Sequence, residues 1–167
     1  MRRLIHIAAL TLIMLAGSCG REWDLDSAFS LAIDSPELPA ASVAEFFTNA
    51  VQQLGGRVLA NSSQIVHIDY QDVAACYGCT PITTEHVDYH GDTIHVYGRY
   101  KLAPSDALEV LIKHGLVHVL GYEQHLAAST GAMMAPRYCD IRDHHQYTPL
   151  DVQAVCSMGR VRGGVCK

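Results

Sequence analysis

His114 and His118 stand four residues apart in a largely apolar segment. On a helix, residues at that spacing project from one face about one turn apart. Two imidazole nitrogens placed in this way can reach a single zinc ion at ~2.0–2.1 Å. The pair alone is weak evidence, because histidines at this spacing are more often part of a solvated face. The residues that follow add to it. Gly121, three positions on, permits a left-handed backbone turn that breaks the helix and folds the chain back. His125 lies just past that break and can close a triad from the other side, with Gln124 as the rival third ligand. Three protein ligands and one open position are what a catalytic zinc requires.

The elements that would hold these groups can be read from periodicity. Pro104-Ser105-Asp106 opens the clearest helix, with Ser105 or Asp106 as its cap. Its apolar surface comes from Ala107, Leu108, Leu111, Ile112, Leu116, Val119 and Leu120, and Gly121 stops it. Upstream, Ser42 reads as an N-cap before a helix carrying Val43, Phe46, Phe47, Ala50, Val51 and Leu54, ended by Gly55-Gly56. Ile65–Tyr70 reads as a strand. Val87–Tyr89 and Thr93–Tyr97 flank His90-Gly91-Asp92, a turn signal that predicts paired strands. From Tyr122 to Tyr147 turn chemistry dominates, and Thr148-Pro149-Leu150-Asp151 starts a last helix running to about Met158. Asp151 is expected to cap that helix. The sum is an α+β domain.

Composition is globular, with 49% hydrophobic residues, and 167 residues suffice for one domain but not two of ordinary size. Arg2 and Arg3 precede an apolar run from Leu4 to Ala16, the pattern of an export signal over residues 1–18. Leu15-Ala16-Gly17-Ser18-Cys19 resembles a bacterial lipobox, which implies acylation of Cys19 and a membrane-anchored lipoprotein, periplasmic or at the cell surface; plain secretion is the alternative. Residues 19–41, with Pro36, Pro39 and scattered acids, read as a tether, and residues 42–167 as the domain. Without the signal, ten Lys and Arg face 17 Asp and Glu, a net charge of −7, which argues against a nucleic-acid partner. In an oxidising compartment Cys76, Cys79, Cys139, Cys156 and Cys166 are expected to form disulfides, with one thiol left over and the pairing open.

The stretch His114-Gly115-Leu116-Val117-His118-Val119-Leu120-Gly121-Tyr122-Glu123-Gln124-His125 resembles the zinc-binding motif of the metzincin metallopeptidases, H-E-x-x-H-x-x-G-x-x-H. Ala132-Met133-Met134-Ala135-Pro136-Arg137-Tyr138 is similar to the methionine turn of their matrixin branch, with Met134 as its methionine. Leu150–Val155 resembles the start of the family's C-terminal helix. The resemblance implies a twisted mixed β-sheet with two helices, a metal-binding helix, an irregular lower part holding the methionine turn, and a closing helix. It further implies Zn2+ on His114, His118 and His125, with Gly121, Pro136 and Tyr138 as structural neighbours, although Tyr138 could instead present a hydroxyl to substrate. Extended peptide or protein would pair with an edge strand near Thr93–Tyr97.

Two positions depart from the motif. The general base, which accepts a proton from the attacking water, should follow the first histidine, and Gly115 stands there. A positioned base contributes roughly 10²–10⁴-fold, or about 3–5 kcal/mol of barrier. The third histidine is expected at Gln124, and His125 comes one residue late. The expectation is therefore a zinc-binding, metallopeptidase-like protein with hydrolysis impaired or lost. Two alternatives stay open: an active peptidase with Glu123 as substitute base, and a metal-free, disulfide-held surface lipoprotein that only binds a partner. Cys76-x-x-Cys79, followed by Thr80-Pro81, reads as structural, and His144-His145 beside Asp140 and Asp143 reads as a polar loop.

Overall fold

The computed structural model describes residues 21–71, 87–98, 107–135, 144–158 and 160–167. The signal segment, Cys19, Cys76, Cys79, Ser105, Asp106, Pro136, Tyr138, Cys139, Asp140 and Asp143 lie outside them. The described chain is mixed α+β, with three α-helices and seven strands. The strands are β1 (Trp23–Asp24), β2 (Ala28–Ile33), β3 (Arg57–Val58), β4 (Gln64–Gln71), β5 (Val87–His90), β6 (Thr93–Tyr97) and β7 (Val161–Arg162). The helices are α1 (Ala40–Gln53), α2 (Ala107–Val119) and α3 (Pro149–Ser157). Among the described residues no helix is long and apolar enough to cross a membrane.

Five strands form one sheet in the order β3-β2-β4-β6-β5, parallel except for β5, which runs antiparallel to β6. Strand alternation sorts the faces. Val66 and Ile68 of β4, with Ile94 and Val96 of β6, are fully buried, while His67, Asp69 and His95 point the other way and are partly exposed. On the buried face lie α1, through Val43, Phe47, Ala50 and Val51, and α2, and these two helices pack against each other. Every residue of α2 except Glu109 is buried. A helix apolar all round belongs inside, and its two histidines are carried into the core with it.

Several expectations need correction. Residues 21–41 are not a tether. Ala28–Ile33 is an inner strand paired on both sides, and Trp23 and Leu25 belong to the core at 1% exposure each. Helix α1 begins at Ala40 after Pro39, whose side chain makes no cap, so Ser42 already lies inside the first turn. Its end is as expected, with Leu54 after the last helical residue and Gly55 at φ +79°. The β5–β6 hairpin also forms as read, with Gly91 at φ +64° in the turn. However, β6 is not the sheet edge. The hairpin folds β5 onto its outer side while β4 takes the inner side, so among the described residues the edge is Val87–His90.

The first and last strands of the described residues meet. β1 pairs in parallel with β7, bringing Trp23 opposite Val161 and Asp24 opposite Arg162. A disulfide joins Cys156 at the end of α3 to Cys166, closing the C-terminal segment on itself.

Candidate metal centre

Helix α2 carries His114 and His118 inward at 0% and 2% exposure. Each ring is fixed by a backbone carbonyl. His114 Nδ1–H donates to Met133 O at 2.9 Å, and His118 Nδ1–H donates to Tyr122 O at 2.7 Å. A carbonyl oxygen only accepts, so Nδ1 carries a proton in both rings and Nε2 is the nitrogen that faces inward. The two Nε2 atoms come within 3.0 Å of each other.

The third ring arrives by way of the glycine turn. Gly121 adopts φ +106°, a conformation strained for any residue with a side chain. Its N–H donates to His118 O at 2.8 Å and that of Tyr122 to Val117 O at 3.2 Å, the paired bonds of a Schellman helix end. The chain then doubles back, and half-buried His125 brings its Nε2 to 3.3 Å from that of His114. The three rings surround one point, with centroids 4.7, 5.2 and 5.1 Å apart. Gln124, the rival ligand, is exposed, and so is Glu123. The turn therefore brings His125, and not Gln124, to the helical pair.

Whether this arrangement fits a metal can be judged from the donor atoms themselves. His114, His118 and His125 place one ligand atom each within 4.8 Å of one another, close enough to hold a single ion. Ring nitrogens that face each other across 3.0 Å need a positive centre between them, a proton or a metal ion. Tetrahedral coordination at ~2.0–2.1 Å separates two nitrogens by about 3.3 Å, and the spacings of His114 to His118 and to His125 match it to within a few tenths of an ångström. Charge state agrees as well. Burial, and then the neighbouring His118, holds the pKa of His114 well below the usual histidine range, and burial lowers that of His125. The neutral imidazole so favoured is the form that binds metal.

Beneath the rings the segment Ala132–Ala135 is fully buried, Met134 included. Asp151, also fully buried, anchors it. Its Oδ2 accepts from Met133 N–H and its Oδ1 from Met134 N–H, both at 2.9 Å. The same carboxylate accepts the N–H and the hydroxyl of Thr148, each at 2.8 Å, completing a capping box at the start of α3. The expected cap is present, therefore, but a second role was not visible in the sequence. One carboxylate ties the last helix to the turn whose Met133 carbonyl orients His114. The Thr148-x-x-Asp151 pattern announces the cap; nothing local announces the remaining lone pairs.

Glu109 points elsewhere, as its position on α2 implies. It pairs with Lys113 Nζ at 2.5 Å and with His145 Nδ1 at 3.0 Å. Lys113 itself is only 1% exposed and also donates to His145 O. This cluster fastens the 144–147 loop to α2, aided by Tyr147 Oη–H donating to Lys113 O at 2.8 Å. Gly115 lies buried within α2, beside His114. No model of a known protein family matches the chain, and no curated protein matches its sequence.

Proposed function

We propose that this chain is an exported, lipid-anchored zinc protein of metzincin type, matrixin branch, whose peptidase chemistry is impaired by Gly115. The observation that carries the reading is the convergence of three imidazoles on one point. Bound there by His114, His118 and His125, zinc would supply Lewis acidity toward a carbonyl and lower the pKa of water. Three neutral imidazoles around an open position suit zinc better than the oxygen-seeking magnesium or calcium.

Support comes also from the order of the parts. A mixed sheet with an antiparallel edge, a buried metal helix, a glycine turn, a buried methionine-bearing turn and a capped last helix follow one another as the resemblance implies. The Cys156–Cys166 disulfide fits an oxidising compartment. The buried ring cluster weighs against the metal-free reading, since packing alone would favour apolar groups there. The exposure of Glu123 weighs against its recruitment as base. An extended peptide would add to the sheet at the Val87–His90 edge.

The missing base defines the test. Peptide cleavage by the zinc-loaded protein is expected to be weak, and Gly115→Glu to raise it by roughly 10²–10⁴-fold. Robust cleavage by the natural chain that Gly115→Glu leaves unchanged would contradict the proposal.

A further inference from the structure

The Schellman turn at the end of α2 uses the carbonyls of Val117 and His118, while Leu116 O accepts from Leu120 N–H. The Val119 carbonyl gains no partner from the helix, as is usual in a last turn. A residue 96 positions away supplies one. Trp23 Nε1–H donates to Val119 O at 3.0 Å, in a buried bond. The indole is 1% exposed and stacks on Phe29 with ring centroids 5.6 Å apart.

Trp23 is itself held in place. Its backbone N–H donates to Arg160 O at 2.8 Å, and that of Leu25 to Arg162 O at 2.8 Å. The side chain of Arg160 lies against the glycine turn, where a Cβ on Gly121 would stand 3.1 Å from Arg160 Cδ. β1 and the segment next to β7 therefore grip the helix end from two sides. This is the point from which the turn carries Tyr122, whose carbonyl orients His118, and then His125.

We propose, resting on the reading that the trio binds a metal, that Trp23 is a positioning residue for this centre. Its indole N–H fixes the end of α2 so that the turn delivers His125 into register with His114 and His118. The residue touches no ligand atom and acts through Val119. Loss of the N–H leaves a buried carbonyl unpaired and frees the helix end to shift, which loosens the third ligand first.

Cobalt(II) binding to the full chain separates positioning from simple support, because the visible band of the bound ion reports its coordination. Trp23→Phe keeps the ring stacking and removes the donor; benzothienylalanine at position 23 removes the donor while keeping the bicyclic shape; 7-azatryptophan keeps both. The first two are expected to weaken cobalt affinity by about tenfold and to lower the band intensity per bound ion, with 7-azatryptophan restoring both. Should Trp23→Phe fail to fold, the sulfur isostere carries the comparison. Unchanged affinity and spectrum in the donor-less variants, with cobalt bound normally by the natural chain, overturns this inference alone. A natural chain that takes up no cobalt removes the metal reading and this inference with it.

Discussion

Histidines occupy two contrasting settings in this molecule. On the outer face of the sheet, His67 pairs with Asp34 at 2.8 Å and His95 with Asp69 at 2.6 Å, both between side chains that solvent reaches. Beneath the sheet, His114 and His118 also use Nδ1 as donor, but to backbone carbonyls in the core. The difference lies in the partner: a carboxylate within reach of solvent on the outer face, a buried backbone carbonyl that fixes the tautomer in the core. In the second arrangement the inward nitrogens face one another closely enough to share one cation. The ligand set is thus defined as much by the groups behind the rings as by the rings themselves.

This contrast can be broken in graded steps. The largest effect is expected from removing a core ring. His114→Ala should lower zinc affinity by more than about 100-fold, beyond the range for outer-shell changes, while His67→Ala and His95→Ala leave it unchanged in equilibrium dialysis. Next comes the carboxylate behind the core. Asp151→Ala deprives two buried amides and the Thr148 cap of their acceptor, and should cost about 3–4 kcal/mol in denaturant unfolding. Asp151→Asn, which keeps part of the acceptor set, should cost less.

Acidification tests the charge argument. The pKa values of His114 and His125 are depressed in the fold, so the unfolded chain binds more protons between those values and the ordinary histidine value near 6.5. Stability of the metal-free protein should be fully present above pH 6.5 and decline as pH falls below it. Zinc release should follow in the same direction, because protons compete for the same lone pairs. A metal-free protein whose melting temperature rises on acidification through this range would contradict the assignment. The smallest effect belongs to the sheet face, where breaking the solvent-screened Asp34–His67 pair should cost less than about 1 kcal/mol.

Much of the centre is legible in the sequence because it is local. The spacing of His114 and His118, the break at Gly121 and the return at His125 lie within twelve residues, and the turn through Gly91 lies between the two strands it joins. What was not legible is long-range. Residues 28–33 resemble a tether because a parallel inner strand shows no polar–apolar alternation, and its partners are β3 and β4, beyond a whole helix. The placement of β6 inside the sheet depends on which side β5 folds to, and no residue of β6 records that. Asp151 was readable as a cap from Thr148, three residues away. Its hold on Met133 and Met134 depends on packing across 17 and 18 residues. Trp23 is the extreme case, with its hydrogen-bond partner at Val119.

The central claim is that three imidazoles, and not the carboxylate-paired histidines of the sheet, surround one metal ion. X-ray diffraction from zinc-soaked crystals at the zinc absorption edge tests it most directly. One strong anomalous peak per chain is expected, at ~2.0–2.1 Å from Nε2 of His114, His118 and His125. An absent peak, or one bound only at the outer sheet face, would contradict it.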